Sequence, residues 1–220
     1  MQPVVFPKMR TPWGSAQSVS ILAPGIGLVH TAGHGGIKCD RSTNSAIPTL
    51  WRNANVWYEE DCACAIPFFF HATLLELHAP AWLQESLKKC PALNTLKTSF
   101  WQTYETFFKV TLQPGESCTK DQDMFYKQHA NDLIACAAFG DHRAAVPSGQ
   151  VALVAKPGGY MGDSRTERWF LVPHDEYAAR SGPFLIDPLR HTEIPAFDPY
   201  APSTTPIPNT NPTQGQLNVS

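Results

Sequence analysis

Ser18-Val19-Ser20-Ile21-Leu22-Ala23-Pro24-Gly25-Ile26-Gly27-Leu28-Val29-His30 sets the architecture of this chain. Val19 and Ile21 alternate with polar neighbours before Ala23-Pro24-Gly25, and Ile26, Leu28 and His30 alternate after it. A period of two on both sides of a Pro-Gly turn predicts an antiparallel β-hairpin, because successive side chains of a strand point to opposite faces. In that register His30 shares a face with Ile26 and Leu28. It is either a half-buried strand histidine with a backbone partner or a candidate site residue.

The next stretch, Thr31-Ala32-Gly33-His34-Gly35-Gly36-Ile37, closes the hairpin with three glycines around one titratable group. Positive φ there would turn the backbone sharply and aim the N–H groups of Gly35 and Gly36 at an anion or carbonyl, with His34 carried outward. The alternative is a tight loop in which the histidine is incidental. Farther on comes Trp57-Tyr58-Glu59-Glu60-Asp61-Cys62-Ala63-Cys64. Three adjacent carboxylates repel one another unless they are solvated, sit at a helix N-terminus or meet a cation. The triplet is therefore either capping charge for a helix over Cys62 to Phe70, which Pro67 interrupts, or part of a reactive site.

In the reactive reading, His34, Glu59, Glu60 and Asp61 do acid–base work, and His34, Glu60 and Asp61 hold a divalent cation. His30, Gly35, Gly36, Tyr58 and Cys62 complete the candidate neighbourhood, with His71 or His78 as further ligands. A His/carboxylate set suits Zn, Mn or Fe, although no HExxH, HxH or HD motif supports the spacing. A second arrangement pairs the thiol of Cys62 or Cys64 with His34, the glycine turn supplying oxyanion donors. Pro24-Gly25-Ile26-Gly27 lacks a third glycine and a strand-to-helix setting, and there is no GxSxG elbow.

Between the two stretches, residues 38 to 56 are polar, with Ile47, Leu50 and Trp51 as anchors. Pro80 opens a helix carrying Trp82, Leu83 and Leu87, and Pro91 closes it. Leu96, Phe100, Tyr104 and Phe108, spaced by four, predict one amphipathic helix over 95–110 whose aromatics face a core. Gln113-Pro114-Gly115-Glu116-Ser117 is a turn, and Thr119 with Gln122 has capping-box spacing. The helix that follows is predicted to place Phe125, Leu133, Ile134 and Ala137 on one face and to end at Gly140, with His129 and Asp132 within reach of each other. Gln150–Ala155 and Arg168–Val172 read as an antiparallel hairpin with a long tip, Pro173–Tyr177 as a helix start, and Phe184–Asp187 as a third strand.

The chain has 220 residues, 43% hydrophobic and 16% charged, with a net charge of −2. That composition can bury a sizeable core, and the absence of a basic cluster disfavours nucleic acid as a partner. No run approaches the roughly 20 apolar residues of a membrane helix, and the N-terminus lacks a signal pattern. Six cysteines without CxxC pairs then suit reduced thiols in a cytoplasmic protein. The expected fold is α+β, with an N-terminal hairpin, central helices and a C-terminal antiparallel hairpin joining one sheet. The expected domains are an arm over 1–10, a single domain over 11–195 and a disordered Pro/Thr/Asn-rich tail over 196–220.

Thr11-Pro12-Trp13-Gly14, the Thr31–Ile37 stretch, Trp57–Cys62, Pro114–Ser117, and Phe170–Pro173 with Glu176-Tyr177 together resemble a family of unknown function. The likeness spans about residues 8 to 195, and Ala63-Cys64 replaces the aromatic residues expected after the acidic triplet. The resemblance implies carriage by bacteriophages, plasmids and other mobile elements, and implies no activity. Two functions follow as expectations: a small cytoplasmic hydrolase using His34 with Glu59, Glu60 and Asp61, or a binding protein that inhibits a host or defence-system component. A virion accessory is a third.

Overall fold

A computed structural model describes residues 4–89, 91–143 and 145–200. The class is α+β, as the patterning predicts: among the described residues, eight α-helices accompany three antiparallel sheets. The chain divides into two compact units, Met1–Asp121 and Gln122–Ser220, in place of one domain over 11–195.

In the first unit a short ribbon, β1 (Arg10–Thr11) and β2 (Gly14–Ser15), precedes the hairpin β3 (Ser18–Ala23) and β4 (Ile26–His30). Gly25 supplies the turn at φ 78°. Strand β5 (Gly35–Cys39) and, after helix α1 (Arg41–Ala46), strand β6 (Trp57–Glu59) complete a four-stranded sheet in the order β3-β4-β5-β6. Helix α1 starts where Asp40 caps it, its carboxylate accepting from the Thr43 N–H at 2.7 Å. That signal lies inside the span read from the sequence only as polar with three apolar anchors.

Five helices follow: α2 (Ala65–Phe70), α3 (Ala72–His78), α4 (Ala81–Lys89), α5 (Ala92–Ser99) and α6 (Trp101–Phe108). Pro67 does not interrupt α2, because it occupies the first turn, where its missing N–H would have no helical acceptor. The single helix expected over 95–110 is two, broken at Phe100, whose φ of −129° is not helical. Leu96 and Tyr104 still face the core, where they join Leu22, Ile26, Ile37, Ile47, Trp51 and Tyr58. Leu50, expected as an anchor, is exposed. The opposite face of the sheet is covered by the N-terminal segment: Val5 and Met9 are buried against Val29, beside Trp13 and Trp57. Residues 4–10 are thus part of the unit, not an appended arm.

The Pro114–Ser117 turn is tied down rather than free. Gly115 donates its N–H to Asp121 at 2.8 Å, and Glu116 accepts from the Gln113 N–H and pairs with Lys97 at 3.0 Å. Nearby, Lys120 reaches Glu105 at 2.6 Å and the Leu112 carbonyl at 2.7 Å. The Lys120 ammonium, and then the Leu112 N–H, hold the Glu105 carboxyl below its ordinary value of 4.5. A depressed pKa contributes stability that is complete above the unfolded value and is lost as pH falls through the folded one. Glu105→Gln is therefore expected to be less stable than the parent at pH 6, with the gap closing as pH drops below about 4.5. Denaturant melts across that range check this, and a gap independent of pH would refute it.

Helix α7 (Cys118–Gln128) leads into the second unit, where β7 (Leu133–Gly140), β8 (Gln150–Pro157), β9 (Arg168–Pro173), helix α8 (His174–Ala178) and β10 (Thr192–Ile194) follow. The sheet order is β10-β9-β8-β7. The C-terminal hairpin β8–β9 forms as expected, but in a four-stranded sheet of its own and not in the sheet of the first hairpin. Leu133–Gly140, expected as the end of a helix, is the edge strand of that sheet. Pairing with β8 along its whole length, with a bulge between Ala135 and Ala137, decides it. Phe184–Asp187 is no strand; Leu185 forms only an isolated bridge to Ile134.

One face of this sheet buries Leu153, Phe170 and Val172 beneath Ile186. On the other face, Phe139 and Trp169 stack at 5.6 Å, and Phe197 packs on Trp169 at 4.8 Å. Residues 196–200 therefore belong to the packed unit rather than to a disordered tail; the remainder of that expectation lies outside the described residues.

Candidate functional site

The Thr31–Ile37 stretch folds differently from a glycine turn. The connection between β4 and β5 is residues 31–34, closed by Thr31, which donates its N–H and its hydroxyl to the His34 carbonyl, both at 2.7 Å. None of Gly33, Gly35 and Gly36 has positive φ. Gly35 and Gly36 are buried strand residues, required for space. A Cβ on Gly36 would strike the Trp13 ring and the Tyr58 carbonyl. A Cβ on Gly35 would strike the Glu60 carboxylate and lie 2.7 Å from the Val29 carbonyl. None of the three glycines turns the backbone, so the sharp glycine turn expected to cradle an oxyanion does not form.

Strand alternation then sorts the acidic triplet. Gly36 pairs with Glu59 and Ile37 with Tyr58, so Glu59 lies on the face of Gly36 and Trp13 while Tyr58 enters the core. Glu60 falls on the face of Gly35, where its carboxylate stands 3.8 Å from His30 Nδ1. Asp61 returns to Glu59 through the turn, donating its N–H to Glu59 Oε1 at 2.9 Å. His34, two residues before Gly36, shares Glu59's face. One ligand atom each from His34, Glu59 and Asp61 lies within 4.8 Å of the others. Glu60, read from the sequence as a ligand, is outside this group.

Glu59 also caps the turn ahead of α2: its second oxygen accepts from the Cys62 N–H at 3.4 Å, and its carbonyl from the Cys64 N–H at 2.8 Å. Glu59 thus does the capping expected of the triplet while also standing in the group with His34 and Asp61. Cys64 donates to the Glu60 carbonyl at 2.9 Å. Burial first, and then the charges of Glu59, Glu60 and Asp61, push its thiol up to about 12. A thiol so protonated is no nucleophile at neutral pH, and the same charges favour a cation. Cys62 accepts from the Ser99 hydroxyl at 3.3 Å.

Tyr58 is fully buried; its hydroxyl donates to Asn44 Oδ1 at 2.6 Å and accepts from the Asn53 N–H at 3.1 Å. Its role is to tie α1 and the following loop to the sheet. His71 sits at the junction of α2 and α3, where burial lowers its pKa, and neither it nor His78 joins the ligand group. No local pattern marks Trp13 as a neighbour; its ring edge over Gly36, and its edge-on contact with Trp57 at 5.6 Å, arise only in the fold. In the second unit His129 and Asp132 do pair, at 2.7 Å.

The first unit is therefore an α+β module bearing a surface His/Glu/Asp cluster at one edge of a sheet. The chain belongs to the family described as a domain of unknown function, DUF7007, which matches residues 7–130. That span contains the candidate cluster and ends before Phe170–Tyr177. No curated protein and no solved structure matches the chain. Among the described residues, no helix is long and apolar enough to cross a membrane.

Proposed function

We propose that His34, Glu59 and Asp61 bind one divalent cation and that the first unit is a small metal-assisted hydrolase. The observation that supports the reading is the convergence of one imidazole and two carboxylates within 4.8 Å, a donor set suited to Zn, Mn or Fe. A bound cation would supply Lewis acidity and a water of lowered pKa. Hydrolysis adds that water's hydroxyl to the electrophilic centre, breaks the bond to the leaving group and gives the leaving group the proton. Cytoplasmic location in a bacterial host and carriage on a phage or plasmid belong to the same proposal and rest on the motif resemblance.

The test is metal binding by calorimetry, together with metal content by mass spectrometry. Mn²⁺ or Zn²⁺ is expected to bind at one equivalent. His34→Ala and Asp61→Asn should each weaken it at least about tenfold, while Glu60→Gln, on the opposite face, should change it less than about twofold. No binding, or loss equal in the Glu60 variant, would sink the proposal.

A second reading, a non-enzymatic inhibitor of a host or defence-system protein, is favoured by two observations. Glu59 is already engaged with backbone N–H groups. An apolar cleft of about 270 Å³ between α2, α3, α4 and α5, lined by Phe68, Phe69, Leu87 and Leu93, offers a docking place. A flat metal titration would leave this reading standing. Nucleic acid is disfavoured as the partner by the net charge of −2.

A further inference from the structure

We infer that the second unit carries a self-association surface. Residues 136–140 of β7 in two copies of this chain pair antiparallel about a two-fold axis at Ala138, joining the two sheets edge to edge.

Strand β7 stands last in the order β10-β9-β8-β7, so its outer side carries no further strand among the described residues. The start of that side is covered. The Ala135 N–H donates to the Phe184 carbonyl at 2.9 Å, and the Ile186 N–H to the Leu133 carbonyl at 2.8 Å. Leu185 lies antiparallel to Ile134 between them, so the edge already holds a short extended segment. The cover stops at the bulge between Ala135 and Ala137. Beyond it, among the described residues, no backbone group of residues 136–139 bonds outside the β8 ladder. Ala137 and Ala138 are exposed. Unpaired strand N–H and C=O groups are a template for another strand, and the usual defence is a charge or a proline on the edge. Leu133–Gly140 has neither. The opposite edge, β10, is three residues long and carries Glu193, which Arg168 holds at 2.6 Å.

Length, alternation and side-chain size select a second copy as the occupant. The free edge is bounded by residues 184–186 at one end. At the other the chain turns after Gly140, whose carbonyl accepts from the Arg143 N–H at 3.0 Å. Such an edge accepts a strand as short as itself, and β7 of a second copy is one, bounded in the same way. A two-fold axis normal to the sheet keeps each side chain on its own face, so paired positions must share a face. Centring the axis on Ala138 satisfies this along the whole free edge. Ala137 of each copy then faces Phe139 of the other, and Cys136 faces Gly140. Phe139 is held over its own sheet by stacking on Trp169 at 5.6 Å, and the small Ala137 opposite leaves it room. An uncharged edge brings no like charges together when it meets itself.

Sedimentation velocity of the full chain over a concentration series is expected to show a monomer–dimer equilibrium. A charge at Ala138 would face its own copy across the axis. Ala138→Lys and Ala138→Asp should therefore each weaken the dimer about fivefold or more. Their circular dichroism melts should match the parent's, because the side chain is exposed. An equimolar mixture of the two variants should restore the dimer, since lysine then faces aspartate. Hydrogen exchange should protect residues 136–140 only at concentrations where the dimer forms. This measurement on the parent decides the matter if either substitution disturbs folding. A parent that stays monomeric, a dimer that Ala138→Lys leaves intact, or a mixture no better than either variant alone would overturn the inference. Protection of residues 136–140 in the monomer would overturn it too, by showing that another segment of this chain covers the edge.

Discussion

Gly36→Ala is expected to destabilise the first unit by about 3 kcal/mol or more, while Gly33→Ala, three positions earlier, should change stability by less than about 0.5 kcal/mol. The two glycines look equivalent in Gly33-His34-Gly35-Gly36, and the fold makes them opposites. A Cβ at Gly33 meets nothing within 4 Å, and its φ is not positive. A Cβ at Gly36 meets the Trp13 ring and the Tyr58 backbone carbonyl. The ring could shift, but the carbonyl belongs to the paired strand β6 and cannot move without breaking the register that places Glu59. Loss of stability should therefore come with loss of cation binding. Denaturant unfolding by circular dichroism, with a Mn²⁺ titration of each variant, reads both. Equal effects at the two positions would show that Gly36 is not a close-approach glycine.

The second large effect falls on Tyr58. Tyr58→Ala should cost about 3–5 kcal/mol through the cavity it leaves between sheet and helices. Tyr58→Phe should cost about 1–3 kcal/mol, because Asn44 Oδ1 is left buried without its donor. The Asn53 N–H contributes less to that cost, since Asn53 is exposed and water can replace the hydroxyl. Neither variant should alter the Mn²⁺ affinity of the folded protein, because Tyr58 faces the core and the cluster lies across the sheet. A Tyr58→Phe protein as stable as the parent but defective in binding would reverse the assignment and return Tyr58 to the site.

These two residues mark how far local pattern reaches. Alternation around Pro24-Gly25 identified β3 and β4, and the same period placed His30 on the face of Ile26 and Leu28, where it meets Glu60. The hairpin Gln150–Pro157 with Arg168–Pro173, and the helix that begins after Pro173, were likewise legible. In each case the information is carried by neighbours in sequence: a turn residue with permitted φ, or a run whose period matches one face of a strand. The grouping of His34 with acidic residues near Glu59 could be suspected from residue type alone.

What the fold alone decided depends on partners distant in sequence. Leu133–Gly140 has a composition compatible with either helix or strand, and pairing with β8 settled it. The break at Phe100 separates α5 from α6 although both Leu96 and Tyr104 face one core, and a four-residue spacing cannot reveal it. Which carboxylate of the triplet joins His34 was undecidable without the register of β5 on β6. A shift of one residue would exchange the faces of Glu59 and Glu60. Sequence determined which chemical groups this protein has and the strands that carry them. Cross-strand pairing, a long-range interaction, determined which of those groups meet.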